Sequence, residues 1–274
     1  MIVHLIDGTY ELFRQFYGIR RFSKTDPPLG AVLGVVRTVV HMLETDATHI
    51  GVATDHVIES FRNDLWDDYK TGDGIEPVLR KQFHPLEDAL VSMGVATWPM
   101  VELEADDALA SAAHLAALDK RVEKVCIWTP DKDLAQSVVG DRVVQVDRKS
   151  GQIRDAAGVK AKFGVEPEFI ADYLAIVGDT ADGYPGIAGC GPKTAARLIE
   201  KNGHLEDFPP EALGGNLKAA LLFKTLSTLR TDAPLFKNVD EIEWKGPTDT
   251  FAATAEKIGD PALVERVNKV LASR

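Results

Sequence analysis

The sequence predicts an α/β fold, a parallel sheet flanked by helices, followed by a mainly helical region. Two observations carry this. Through the first half of the chain, short apolar runs alternate with stretches of helical period, the pattern of βαβ units. After residue 163 or so, strand-length runs cease and a Gly/Pro-rich loop separates helical segments. The expected division is therefore 1–162 for the α/β unit and 163–274 for the helical one.

Ile2–Ile6 is a short apolar run ending at Asp7-Gly8. Val32, Val35, Val36, Val39, Val40 and Leu43 share one helical face. Ile50–Thr54 is a second run, closed by Asp55, and Pro77–Met93 is helical again. Val95–Trp98 is the third run, and an Ala/Leu-rich helix spans Glu104–Leu118. Val125–Thr129 leads into Pro130-Asp131, and Val143–Val146 is the fifth run. Glu166–Val177 reads as a helix stopped by Gly178. After the Gly178–Gly191 loop, Pro192 suits the first position of a helix to Lys201. The rest is helical and polar, with turns at Pro209-Pro210 and Gly214-Gly215 and no strand between 163 and 238.

Of the 274 residues, 45% are hydrophobic and 27% charged, ordinary globular values that exclude wholesale disorder. No apolar run reaches the ~18–20 residues of a membrane helix. The start has no basic segment of a secretory signal. Two cysteines, Cys126 and Cys190, form no disulfide framework, so a reduced cytoplasmic setting is expected. The net charge of −11 is unlike a generic basic nucleic-acid binder, unless the acids are concentrated in one site.

They are so concentrated. Ligands of an open parallel sheet bind beyond the carboxyl ends of its strands. Asp7 follows the first run, Asp55 the second, Glu104, Asp106 and Asp107 come shortly after the third, and Asp131 and Asp133 follow the fourth. Asp179 and Asp182, in the Gly-rich loop, form a second wall. Each alone has a structural reading as a turn, a helix cap or a solvated loop. Together they would repel one another unless neutralised, and oxygen-only ligands select hard divalent ions, Mg²⁺ or Mn²⁺. The seven histidines are scattered, without the spacing of a zinc motif.

Two further motifs fail on inspection. Leu5-Ile-Asp-Gly-Thr9 is similar to the opening of haloacid-dehalogenase-like phosphatases, but Leu5 stands where their nucleophilic Asp is needed. Gly186-Ile-Ala-Gly-Cys-Gly-Pro-Lys-Thr194 is similar to a P-loop, but Pro192 separates Gly191 from Lys193, and no strand precedes it. The segment suits a helix–hairpin–helix element instead. Its tight turn brings backbone N–H groups to a phosphate, and Lys193 and Arg197 on one face neutralise its neighbours.

Six motifs in order resemble the flap-endonuclease-like 5′ nucleases, which include the 5′-nuclease domain of bacterial family A DNA polymerases. They are Asp7-Gly-Thr with Leu12-Phe-Arg14; Thr54-Asp55 with Ser60-Phe-Arg62 and Tyr69-Lys70; Glu104-Ala-Asp-Asp107; Thr129-Pro-Asp-Lys-Asp-Leu134; Gly178-Asp-Thr-Ala-Asp-Gly183; and Pro185 to Ala195. The resemblance covers nearly the whole chain. It implies a PIN-like core with a helix–three-turn–helix DNA-binding domain and two Mg²⁺ ions per site, with Mn²⁺ as a substitute. By it, Asp7, Asp55, Glu104 and Asp106 would hold the first ion, Asp131, Asp133, Asp179 and Asp182 the second, with Asp107 near both. Lys70 and Arg62 would grip the scissile phosphate. Arg14, Gly186, Gly189, Gly191, Lys193, Thr194 and Arg197 would contact nucleic acid.

The implied activity is 5′→3′ exonuclease and flap endonuclease cleavage of DNA to 5′-phosphate and 3′-hydroxyl. Expected partners are 5′ flaps, nicked or gapped duplex and RNA-primed ends. The chain is expected to be a monomer, acting alone or beside a DNA polymerase in trans. Phe16 and Tyr17 read either as stacking platforms for an unpaired base or as core. One departure stands out: Thr71-Gly-Asp-Gly-Ile-Glu-Pro77 follows Lys70, with Asp73 where an arginine is common in the family, and Arg80 and Lys81 come later. The alternatives are a PIN-type ribonuclease, usually shorter and without the helical region, and a junction-binding protein that has lost turnover.

Overall fold

The computed structural model describes residues 1–20 and 27–274. Its centre is a six-stranded sheet: β1 (Ile2–Asp7), β2 (His49–Asp55), β3 (Ala96–Met100), β4 (Lys124–Trp128), β5 (Val143–Asp147) and β6 (Gln152–Arg154). The order is β3-β2-β1-β4-β5-β6. The first five strands are parallel, and β6, not anticipated from the sequence, caps the edge antiparallel to β5. The strand order reverses at β1, where α/β sheets open a crevice. Asp7 ends this strand, and Asp55 ends its neighbour β2.

Helices α1 (Gly8–Arg20), α2 (Gly30–Glu44), α3 (Pro77–Arg80) and α4 (Phe83–Ser92) belong to one side. Helix α1 is absent from the sequence expectation, because only Gly8, Glu11, Leu12 and Phe16 of it are buried, too sparse a stripe to read as a helix. It begins directly at the strand end. A Cβ on Gly8 would lie 2.7–2.9 Å from Thr54, Val52 and the Ala53 carbonyl, so glycine lets α1 start against β2. The helix expected over Pro77–Met93 is broken at Lys81–Gln82. The buried Gln82 side chain leaves the helical path to accept the Ala31 and Val32 N–H groups at the start of α2 (3.1 and 3.3 Å).

Helix α5 (Ala105–Leu118) covers the other face. Beyond β6 come α6 (Ala156–Phe163), α7 (Ile170–Val177), α8 (Pro192–Asn202) and α9 (Leu217–Ser227). Helix α7 stops at Gly178 and α8 has proline at its first position, as expected. Residues 167–169, expected within α7, form a separate 3₁₀ turn. Helices α7, α8 and α9 share a core with Tyr69, Ala135 and Tyr184. The last helices, α10 (Phe251–Lys257) and α11 (Ala262–Ala272), do not stay with them. Phe251, Ala255, Leu263 and Val267 return to the first core beside Val35, Val36 and Leu90.

No helix among the described residues is long and apolar enough to cross a membrane.

Candidate active site

The strand ends place the acids as the sequence suggests. Asp7 Oδ1 accepts the Tyr10 N–H in the first turn of α1 (2.8 Å), and Oδ2 accepts the Thr129 hydroxyl from the end of β4 (3.1 Å). Asp55 Oδ1 accepts the Ala105 N–H at the start of α5 (2.9 Å), where the helix dipole favours a carboxylate. Its own N–H donates to Thr9 Oγ1 (2.8 Å). Glu104 is buried as the N-cap of α5 and accepts from Ser60 Oγ (2.7 Å). Asp131 is held open by a short turn in which its Oδ1 accepts the Asp133 N–H (2.9 Å).

On the far wall, Asp179 and Asp182 lie in the loop between α7 and α8. The Lys70 N–H donates to Asp182 O (3.1 Å) and Trp66 Nε1 to Gly183 O (3.1 Å), fixing this loop to residues 66–70. Gly183 has φ +86°, and a Cβ there would collide with the Asp68 carbonyl.

The resulting cleft has a volume of about 380 Å³ and is lined by Tyr10, Lys70, Asp106, Asp131, Lys132, Asp133, Lys162, Asp179 and Asp182, among others. Ligand atoms of Asp133, Asp179 and Asp182 lie within 4.8 Å of one another, and all three are buried. Asp133 Oδ1 is buried without a hydrogen-bond partner. Burial pushes the Asp7 carboxyl up to about 7, and repulsion from Asp55 and Asp131 adds to it against the Tyr10 hydrogen bond. Burial and neighbouring aspartates hold Asp106 and Asp133 well above the usual carboxylate range, and burial raises Asp55 and Asp182. Glu104 goes the other way: burial opposes its charge, but Lys70 and Arg62 outweigh it. Such a cluster needs protons or cations, and its donors are all carboxylate oxygens, which suits a hard divalent ion.

Two of its three lining lysines already pair with the acids. Lys70 Nζ is 2.6 Å from Glu104 Oε2 and 3.0 Å from Asp182 Oδ1, spanning the two walls. Lys132 Nζ is 2.7 Å from Asp179 Oδ2. The sequence reading gave Lys132, Thr129, Ser60 and Tyr10 no role. Lys132 was findable as the basic residue between Asp131 and Asp133.

Two expected residues do not face the cleft. Arg62, expected on the phosphate, is buried with all five N–H donors taken. Nε donates to Leu226 O, Nη1 to Glu104 and Asp107, and Nη2 to Asp107 and Thr228 O. It has nothing left for a substrate. Asp107, expected near both ions, accepts four donors: Arg62 twice, the Glu104 N–H (3.0 Å) and the Arg230 N–H (2.9 Å). It closes the capping box of α5, a role that its position three residues after the N-cap signals.

Six of the nucleic-acid candidates lie on the Gly186–Arg197 segment, which begins in the loop that carries Asp179 and Asp182. Gly189, Gly191, Lys193 and Arg197 are exposed, while Gly186 and Thr194 are half-buried. Gly191 is the N-cap of α8. Arg14 on α1 is tied to Glu11 (3.1 Å from Nε). Phe16 is core, whereas Tyr17 is exposed against it. Asp73, Arg80 and Lys81 are exposed, and the Gly72 N–H ahead of Asp73 is fixed by Glu59 (3.0 Å).

Residues 2–164 match the family model of the 5′-3′ exonuclease N-terminal resolvase-like domain, and residues 165–250 that of the 5′-3′ exonuclease C-terminal SAM fold. The chain belongs to the 5′-3′ exonuclease family. It is 31% identical to a 5′-3′ exonuclease of Aquifex aeolicus, over 98% of this chain and 96% of that one. It is 33% identical to DNA polymerase I of Pseudomonas aeruginosa over 87% of this chain, and so spans only 28% of that polymerase's length.

The fold is shared with a T5 5′-exonuclease bound to divalent metal ions (zinc), at TM-score 0.64 and 16% identity over 99% of both chains. It is also shared with a T5 flap endonuclease variant complexed with DNA and metal ions, at TM-score 0.66 and 18% identity over 99% of this chain and 98% of that one. The catalytic core of Rad2 in complex with DNA substrate matches at TM-score 0.58 and 14% identity, over 98% and 91% of the two chains. The PIN-like, resolvase-like core and helical second region of the family are those described above.

Proposed function

We propose that this chain is a structure-specific 5′ nuclease, a 5′→3′ exonuclease and flap endonuclease that hydrolyses DNA to 5′-phosphate and 3′-hydroxyl with two Mg²⁺ ions. The observation that carries this is the pairing of a buried, partnerless carboxylate oxygen on Asp133 with acids from both walls of one cleft. Asp7, Asp55, Glu104 and Asp106 would hold one ion, and Asp131, Asp133, Asp179 and Asp182 the other. When bound there, such ions supply an acidified water and a counter-charge for the leaving 3′ oxygen. Mn²⁺, with the same preference for oxygen, would substitute.

The chain's own residues do the rest. Among the described residues, Lys70 is the one cation that touches both walls, so it holds the scissile phosphate between them and offsets the charge that grows there. Lys132 neutralises Asp179 until the site fills. Arg62 and Asp107 act from behind, fixing Glu104 and the start of α5. In the 163–274 unit, Gly186, Gly189, Gly191, Lys193, Thr194 and Arg197 grip the backbone of duplex DNA without reading bases. Arg14 and exposed Tyr17 border the path of the strand on the 1–162 side. The substrates are 5′ flaps and nicked, gapped or RNA-primed duplexes. The protein works in the cytoplasm as a monomer, alone or beside a DNA polymerase.

A gel assay with a 5′-labelled flap and a nicked duplex tests this. Cleavage near the junction in Mg²⁺, absent in EDTA and lost in Asp133→Asn, is the expected result. Junction binding without cleavage in either Mg²⁺ or Mn²⁺ overturns the enzyme, and cleavage of single-stranded RNA alone replaces it with a ribonuclease.

A further inference from the structure

Away from the acid cleft, the described residues bring together two imidazoles and a buried carboxylate. His56 directly follows β2, and His84 and Glu87 are three apart on α4, hence on one face. One ligand atom from each lies within 4.8 Å of the others. Glu87 Oε1 accepts the Thr54 hydroxyl (2.9 Å), and Oε2 lies 2.7 Å from His56 Nδ1. The two imidazoles stack with centroids 4.2 Å apart and planes 9° from parallel.

Glu87 is 6% exposed, and among the described residues its one ion-pair partner is His56. A buried carboxylate without a lysine or arginine is costly. Among the described residues, the other histidine–carboxylate group is different. In Asp172–His204–Glu206, Lys224 Nζ sits 2.7 Å from both carboxylates and fills the place of a cation.

We propose that His56, His84 and Glu87 bind a transition-metal dication of the Zn²⁺ class, at a site separate from the acid cleft. Imidazole nitrogens favour zinc, nickel and copper ions over Mg²⁺, which keeps to oxygen. Two histidines and one glutamate with an open fourth position is a ligand set that zinc uses. Thr54 supplies the outer hydrogen bond that orients the glutamate. Ligands on a tetrahedral zinc with bonds of about 2.0–2.1 Å stand about 3.3 Å apart. His84 is exposed, with Nε2 3.3 Å from the His56 carbonyl, and to reach that spacing from within 4.8 Å its ring would leave this contact.

The placement gives the site a consequence. His56 opens and His84 closes the excursion of chain 57–83, which carries Lys70. A metal there would staple the base of that excursion to the end of β2, one residue from Asp55.

Co²⁺ is the probe, because its visible d–d absorption reports its ligand field. The whole chain is titrated with Co²⁺ in a large excess of Mg²⁺, which occupies the acid cleft. One equivalent should bind with visible absorption, persist in Mg²⁺ and be displaced by Zn²⁺. The signal should survive in Asp133→Asn and weaken about tenfold or more in His84→Ala, whose exposed side chain is removable without unfolding. Glu87→Gln, which keeps shape and loses charge, should weaken it likewise. Loss of the signal in Mg²⁺ or in Asp133→Asn, or its persistence in His84→Ala, places the cobalt in the acid cleft and overturns the proposal.

Discussion

Arg62 and Asp107 form a two-pronged ion pair, with Nη1–Oδ2 at 2.7 Å and Nη2–Oδ1 at 2.8 Å, and neither side chain is more than 1% exposed. The pair joins the 3₁₀ turn Phe61–Asp64 to α5, and through the Leu226 and Thr228 carbonyls to the end of α9. Removing one partner of such a pair leaves a buried charge and costs about 3–5 kcal/mol. Arg62→Met should therefore lose about that much stability in urea unfolding. Arg62→Lys should fail to restore it, since an ammonium cannot supply five donors in one plane. If Arg62→Met unfolds like the parent but binds flap DNA weakly, the guanidinium serves substrate after all.

Lys70 has the opposite character. Its ammonium is partly exposed and aimed into the cleft between Glu104 and Asp182. Those carboxylates hold its pKa well above the usual lysine value despite burial, so it stays charged throughout the working pH range. Lys70→Met should lower single-turnover cleavage by about 10²–10³, the usual loss for one donor to transition-state charge. Flap affinity should change little. An equal loss in binding and in rate would assign Lys70 to substrate capture instead.

His4 offers a pH signature that does not involve the acids. Its Nδ1 accepts the Trp128 indole N–H (3.1 Å), and burial, with Arg148 nearby, pushes its pKa down to about 4. The unfolded chain binds this proton near pH 6.5, so it takes up more protons than the fold between about 6.5 and 4. His4 therefore supports the fold fully above that range, and its contribution is lost as pH falls through it. The loss is about 2 kcal/mol between pH 7.5 and 4.5. His4→Gln should flatten the pH dependence of urea stability by that amount, and an unchanged slope would refute the assignment.

The sequence showed the site because each strand is an apolar run that ends in an acid, and parallel strands send those ends to one edge. Asp7, Asp55 and Asp131 were legible for that reason. What it could not show is which of several adjacent acids turns inward. Asp106 and Asp107 differ by one position on α5, yet one lines the cleft and the other caps the helix under Arg62. Helix α1 was hidden because only a thin stripe of it is buried, and the break at Gln82 because its cause lies in α2, far along the chain. The stretch after Lys201 reads as helical throughout, yet 228–250 contains no α-helix, and local periodicity does not say which core α10 and α11 join.

Lys193 and Arg197 test the helical unit alone. Both are exposed on one face of α8, four residues apart, beyond the Gly189–Gly191 turn. Contacts to phosphate release counterions, so each should appear in the salt dependence of binding. Lys193→Ala and Arg197→Ala should each weaken nicked-duplex binding and reduce the slope of log affinity against log salt by about 1. The loss should be uniform across DNA sequences, because a phosphate carries no base identity. It should also be the same with and without divalent ions, because the acid cleft is untouched. Fluorescence anisotropy over a salt series reads all three. An unchanged slope in both variants would move the duplex to another face, and a sequence-dependent loss would mean that α8 reads bases.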